Sequence, residues 1–185
     1  MRRWKIALPY LAGALAAAVV AGLLGLIFMW SGLYNVAASS PHSEPMEWGL
    51  HRTMIQSVHR HAKSVVAPER FSAAQVAAGF CQYEAHCVAC HGAAGVAREQ
   101  WVSGMEPAPP YLLDATSRWN RAELFWIAKN GIKMTGMPAW QDAMSDRDVW
   151  SVVAFIEAAR QMQPQTYVEW RAQRRCPIKE PGVGP

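Results

Sequence analysis

The chain has 185 residues, of which 51% are hydrophobic, enough for one domain with attached segments. Its formal net charge is +4, but residues 1–5 carry +3 and residues 164–185 carry +2, whereas residues 71–163 carry −2. A nucleic-acid interface needs Lys and Arg clustered on one face, so this distribution excludes nucleic acid as an expected partner.

Residues 1–36 predict a membrane anchor. The segment Ala12–Trp30 is apolar or Gly throughout, and a helix of that length reaches roughly 28 Å, about one hydrocarbon core. Three basic residues within the first five positions place the N-terminus in the cytoplasm by the positive-inside rule. We therefore expect a single-pass protein of the bacterial inner membrane whose main domain lies in the periplasm. The alternative is a cleaved signal peptide, whose apolar region is about 7–15 residues and thus shorter.

Residues 37–71 predict a linker built around an amphipathic, interfacial helix. The sequence SSPHSEP breaks the first helix and offers Ser43 as the N-cap of a helix over residues 44–66. One stripe recurs at steps of three and four, as a helix face requires: His51, Met54, Ile55, Val58, Ala62 and Val65. This stripe faces lipid headgroups, the following domain or another subunit.

The histidines of this helix raise a second-cofactor hypothesis. His51 lies within the apolar stripe and would suit a non-covalent haem or a quinone. His59 and His61 lie to either side of that stripe, so they add no second ligand on it. We therefore favour an interface helix with one hydrogen-bonded histidine.

The following segment, residues 72–163, predicts a compact all-α domain. Ser72, Asn120 and Ser145 are good N-cap residues for three helices, and the glycine after Asn130 suits a helix end. Three helices joined by long loops give a thin core for about 90 residues. A large buried apolar cofactor would complete that core.

The chemistry lies in FCQYEAHCVACHG, Phe80–Gly92. Cys87 and Cys90 are separated by two residues and His91 follows at once, which is the attachment signature of c-type haem. Each thiol can add to one porphyrin vinyl group, and the histidine supplies an axial nitrogen to the iron. A thioredoxin-type pair needs a βαβ setting that is absent here, and a zinc site needs another Cys/His pair at suitable spacing. We therefore expect one covalent haem c.

Residues 73–163 closely resemble class I c-type cytochromes. AAGFCQYEAHCVACHG is similar to the first helix of that family, and NGIKMTGMPAW is similar to the loop that supplies the sixth iron ligand. The resemblance implies that His91 and Met137 are the axial ligands; Met134 and Met105 are the alternatives to Met137. Thioether ligation favours Fe(II) and raises the reduction potential. It also fills the sixth position, which argues against catalysis at the haem.

The resemblance assigns a further role to the segment PAPP, Pro107–Pro110. In this family a proline carbonyl at that place accepts a hydrogen bond from the axial histidine, which implies Pro110 here; the alternative is a plain extended linker. Such a bond fixes the ring and raises its basicity. Trp119, Trp126 and Trp140 are expected in the haem pocket or the core, with one of them a candidate donor to a haem propionate.

The last segment, residues 164–185, contains four prolines and predicts an extended tail. Its Cys176 and the earlier Cys81 are the two cysteines without a role. The resemblance places Gly79 and Tyr83 on the helix face that packs on the terminal helix, and Cys81 points away from it. In an oxidising compartment we expect a Cys81–Cys176 disulfide, which the loop-entropy relation values at about 4–5 kcal/mol. Two free thiols or a bridge to a partner chain are the alternatives.

These features predict one-electron transfer through a single haem c at the periplasmic membrane surface, by a chain that is not itself an enzyme. We favour a cytochrome subunit of a membrane-bound respiratory dehydrogenase or oxidase complex, because the amphipathic helix and the clipped tail suit assembly. An anchored shuttle between respiratory complexes is the second setting. A haem enzyme or sensor with an open iron site is the third. The expected partners are the membrane, subunits of a redox complex and other electron-transfer proteins.

Overall fold

A computed structural model of the protein describes residues 2–112, 118–173 and 176, with the backbone alone for residues 2–8. These residues form helices, turns and one isolated bridge, and no strand occurs among them. The all-α prediction is therefore confirmed. The chain divides into two compact units, Met1–Ser40 and Pro41–Pro185.

The first unit contains helix α1, Arg2–Ser31. Its segment Pro9–Ser31 has 23 residues and a mean hydropathy of 2.5, so by length and composition it could cross a membrane. Gly32 follows with φ +66°, a backbone conformation that glycine adopts without strain. The predicted apolar helix is confirmed, and it ends within the 1–36 segment.

The second unit begins with α2, Glu44–His61, which continues into a 3₁₀ turn at Ala62–Ser64. The other helical elements follow in chain order: α3 (Ala73–His86), α4 (Val88–His91), a 3₁₀ turn (Gln100–Gly104), α5 (Arg121–Asn130), α6 (Asp146–Ala159) and α7 (Pro164–Ala172).

Three of these helices begin at the residues predicted to cap them. The side chains of Ser72, Asn120 and Ser145 each accept a hydrogen bond from the backbone N–H three positions on. The side chain at that third position accepts one in return from the backbone N–H of the cap residue: Gln75, Glu123 and Asp148. Ser43 occupies the N-cap position of α2 with an extended backbone but makes no side-chain cap bond. The cap predictions for α3, α5 and α6 are confirmed.

The core forms where α3 crosses α6. A Cβ on Gly79 would lie 1.8 Å from the Ser151 carbonyl oxygen, so the two helix backbones touch at this point. Tyr83 packs nearby on Phe155, with ring centroids 5.2 Å apart. Glycine is required here because any side chain would push the helices apart.

Residues 58–71, which we call the strap, pack against α5 and α6. Val58 and Ala62 are buried at its start, and His59 Nδ1 lies 2.5 Å from Glu123 Oε1 of α5. The second half of the predicted stripe therefore faces the following domain.

The prediction of an extended tail is wrong for Pro164–Ala172, which form α7. Pro164 starts this helix, because proline is tolerated at the first helical position where no N–H bond is lost. Tyr167 is only 1% exposed and packs edge-on against Phe80, with Phe155 beside it. The proline-rich end of the predicted tail lies outside the described residues.

Candidate functional site

The two motif cysteines flank a single helical turn. Cys87 ends α3, and the N–H groups of Cys90 and His91 both donate to the Cys87 carbonyl, at 3.2 and 2.9 Å. Both thiols are half-buried and outside any disulfide. Burial, with a smaller contribution from Cys90, raises the pKa of Cys87 to about 12, so this thiol is protonated at neutral pH.

The ring of His91 is buried and has a defined tautomer. Its Nδ1 lies 2.8 Å from the Pro110 carbonyl oxygen, and since a carbonyl only accepts, Nδ1 must carry the hydrogen. Burial lowers the pKa of His91, the bond to Pro110 partly offsets this, and the charge of Arg98 lowers the pKa further. The ring is therefore neutral, with the lone pair on Nε2, the form that ligates a metal.

Gly92 connects this turn to the surrounding chain. Its φ is +63°, which favours glycine, and its carbonyl accepts a 2.5 Å hydrogen bond from the Tyr83 hydroxyl. Burial raises the pKa of Tyr83, so the hydroxyl keeps the proton that it donates. The residue after His91 is thus fixed to α3.

The loop after α5 presents Met137. Gly131 turns the chain with φ +65°, and a Cβ there would lie 2.6 Å from the Pro138 carbonyl carbon. The Met137 N–H donates to Thr135 Oγ1 at 3.1 Å, and its carbonyl accepts from Ile132 at 3.3 Å. These bonds hold the half-buried Met137 side chain on a short, closed loop.

The two alternative methionines have different surroundings. Met134 is 85% exposed and has φ +61°, so its thioether lies in solvent. Met105 packs against the same loop, with its Sδ 3.1 Å from where a Cβ on Gly136 would lie. The exposure of Met134 disfavours it as a ligand, while Met105 serves as a neighbour of the loop.

The three tryptophans singled out in the sequence each contact a histidine ring, with these centroid distances: Trp119–His59 5.4 Å, Trp126–His61 5.6 Å and Trp140–His86 4.9 Å. The first two contacts join α2 to the domain, and the third is made by His86, the residue that precedes Cys87. That one of these tryptophans donates a hydrogen bond to a haem propionate stays a prediction. His51 is exposed and is not one of the three histidines in these contacts.

Cys81 and Cys176 are joined in a disulfide, with Cα atoms 5.1 Å apart. This bond links α3 to the segment after α7 and leaves the motif thiols as the free pair.

Two available thiols beside a neutral imidazole fit the donor set of a covalent haem c. Among the described residues no three His, Cys, Asp or Glu side chains form a metal site, so the zinc alternative has no ligand set there.

Sequence reasoning missed Arg98. Its Nη1 donates to the Pro109 carbonyl, and its Cζ lies 4.0 Å from the centroid of the Tyr111 ring. The available signal was a cation seven positions after His91, the first Lys, Arg, Asp or Glu after Glu84.

Comparison with known families matches residues 74–156 to the family described as cytochrome C oxidase, cbb3-type, subunit III. The matched range runs from α3 into α6 and contains both motif thiols, His91, Pro110 and Met137. No curated protein matches the chain.

Proposed function

Because residues 74–156 form a c-type cytochrome domain, we propose that the chain transfers single electrons through one covalent haem c at the periplasmic surface of a bacterial inner membrane. The observation that carries this proposal is the 2.8 Å contact between His91 Nδ1 and the Pro110 carbonyl, beside two free thiols. This contact leaves Nε2 as the atom available to iron, because a hydrogen bond at the other ring nitrogen fixes the tautomer and the direction of a metal-binding histidine.

Each site residue has a defined task in this proposal. Cys87 and Cys90 would hold the porphyrin through their sulfurs, and His91 Nε2 and Met137 Sδ would ligate the iron. When bound, the haem iron supplies the one-electron step by cycling between Fe(III) and Fe(II). The closed Met137 loop and the buried His91 ring keep both ligands in place in either state, which suits electron transfer rather than substrate binding.

We further propose that the chain is the cytochrome subunit of a membrane-bound respiratory complex, of oxidase or dehydrogenase type. The description of the matching family supports the first type. The first half of α2 also supports a subunit role, because Trp48 is 72% exposed and Met46 and Leu50, one turn apart on the helix, are exposed as well. Neighbouring exposed apolar side chains are typical of an interaction surface.

The haem ligation is tested by replacing Met137 with Ala, with Met134→Ala as the matched control. Met137→Ala should abolish the sulfur-to-iron charge-transfer band of the oxidised protein, lower the midpoint potential and let the reduced protein bind carbon monoxide at neutral pH. Met134→Ala should change none of these. An unchanged low-spin spectrum and potential in Met137→Ala would refute the ligation. Carbon monoxide binding by the wild type would favour the haem enzyme or sensor.

The subunit role is tested by purification in mild detergent. The wild-type chain should bring with it a flavin-, molybdenum- or haem-bearing partner, and a Trp48→Ser/Leu50→Ser variant should lose that partner while keeping its haem. Val66→Ser is the control, since Val66 is 90% exposed but lies in the strap. A wild-type chain that purifies alone would favour the shuttle between complexes.

A further inference from the structure

We propose that Arg98 is a positioning residue of the electron-transfer site. It fixes the Pro109–Tyr111 segment against the haem-binding turn and places a positive charge beside His91 that raises the reduction potential. The inference rests on the proposed function, because the potential in question is that of the haem c assigned there.

Arg98 holds both neighbours of the residue that orients the axial imidazole. Its Nη1 donates to the carbonyl of Pro109, and its guanidinium lies 4.0 Å above the Tyr111 ring. The carbonyl of Pro110, between them, accepts the 2.8 Å hydrogen bond from His91 Nδ1. The direction of that carbonyl therefore depends on contacts that one side chain makes on either side of it.

The same stacked pair rests on the residue that follows His91. Tyr111 Cε1 and Arg98 Cγ lie 2.8 and 3.3 Å from the position of a Cβ on Gly92, so only glycine leaves room for them. The segment that carries Arg98 folds back onto the haem-binding turn, where the Glu99 N–H donates a 2.9 Å hydrogen bond to the Ala89 carbonyl. This bond ties the residue after Arg98 to the middle of the haem-binding turn.

The charge of Arg98 is placed to act on the iron through His91. A guanidinium is always protonated, and Arg98 is half-buried, which limits screening by solvent. Within residues 2–112 and 118–173 no carboxylate lies within ion-pair distance of it. Oxidation adds one positive charge to the iron, so a fixed neighbouring cation disfavours Fe(III) and raises the potential.

Three substitutions separate the charge from the hydrogen bond. Arg98→Met removes both, Arg98→Gln keeps an N–H donor for Pro109 without the charge, and Arg98→Lys keeps the charge without the planar stack. Arg147→Met is the control, because it removes one exposed cation from the start of α6. The readout is the midpoint potential of the full-length holoprotein in detergent, from an optical redox titration.

We expect the equilibrium constant for reduction to fall about tenfold in Arg98→Met and Arg98→Gln, which for one electron is about 59 mV. Arg98→Lys should stay within about threefold of the wild type and Arg147→Met within about twofold, on the same conversion. An unchanged potential in Arg98→Gln overturns the proposal, and so does an equal fall in Arg98→Lys.

Failure of haem attachment would reject either the role of Arg98 or the proposed function, depending on which protein fails. If neither Arg98→Met nor Arg98→Gln takes up haem while Arg98→Lys does, Arg98 acts in assembly and the potential-setting role is rejected. A wild-type protein without a low-spin, redox-active haem would instead refute the proposed function, before any variant is compared.

Discussion

The strap and α7 both pack against the helices of the cytochrome domain, but different interactions hold them. The strap depends on charged and polar contacts. Arg121 of α5 pairs with Glu157 of α6 through two 2.7 Å contacts, and its Nη1 donates to the carbonyls of Pro68 and Glu69 at 2.8 and 2.5 Å. Its guanidinium also lies 4.9 Å from the centroid of the Phe71 ring. One side chain thus joins three elements.

Helix α7 depends on burial and on a covalent bond. Tyr167 is enclosed by aromatic rings of α3 and α6, and its hydroxyl donates to Glu84. Burial, followed by that hydrogen bond, raises the pKa of Tyr167, which keeps the donor protonated. Glu84 is also paired with Arg171 at 3.0 Å, and Cys176 closes the segment onto α3.

The difference predicts which attachment responds to solution conditions. The Arg121 side chain is 32% exposed, so salt screens its ion pair, whereas salt does not screen the burial of an aromatic ring. The strap, which begins in the last turn of α2, is thus the adjustable attachment, and α7 is a permanent part of the core.

Replacing Tyr167 with Ala should have the largest effect. Loss of a fully buried aromatic side chain typically lowers the free energy of unfolding by about 3–5 kcal/mol. Val168→Ala, at an exposed position on the same helix, should change it by less than about 0.5 kcal/mol. Guanidinium denaturation of the holoprotein measures both. A loss below about 1 kcal/mol in Tyr167→Ala would mean that α7 contributes little to the core.

Removing the disulfide should have the next largest effect. A Cys81→Ser/Cys176→Ser variant should lose about 2–4 kcal/mol, because the unfolded chain regains the freedom that the cross-link removes. Packing of Tyr167 should still hold α7 in the native state. The same denaturation experiment measures the loss, and wild-type protein treated with a thiol reductant should match the variant. Equal stability of oxidised and reduced wild type would contradict the prediction.

Local signals made much of this structure predictable. The caps of α3, α5 and α6 could be read from single residues and their partners three positions on, because capping is a local interaction. The glycine turn at Gly131 has the same origin. The spacing of the motif cysteines placed the site on the first helix of the domain, and the family match agrees with that reading.

The parts that sequence reasoning missed depend on distant residues. The His59–Glu123 contact spans 64 positions and the Tyr167–Glu84 bond spans 83, so no local pattern signals either. The prolines of the last segment predicted an extended chain, but Pro164 begins a helix whose burial depends on Phe80 and Phe155. The contacts of Arg98 likewise depend on Pro109 and Tyr111, which lie next to it only in the folded chain.

Replacing Arg121 with Met should have the smallest effect and the clearest dependence on salt. The ion pair and the two carbonyl bonds are partly exposed, so their loss should cost only about 1–2 kcal/mol. Arg121→Lys should recover at most about half of that, because an ammonium cannot pair with both Glu157 oxygens and reach the strap carbonyls as well. Lys129→Met, also on α5, removes the exposed pair with Asp146 of α6. It is the control and should cost less than about 1 kcal/mol.

The salt dependence of Arg121→Met distinguishes the strap from α7. Raising the ionic strength from 0.01 to 1 M shortens the Debye length from about 30 to about 3 Å, so the stability difference between wild type and Arg121→Met should shrink. The difference between wild type and Tyr167→Ala should stay constant over the same range. If both differences respond alike, the strap is held by burial of Val58 and Ala62 rather than by Arg121, and the contrast between the two attachments disappears.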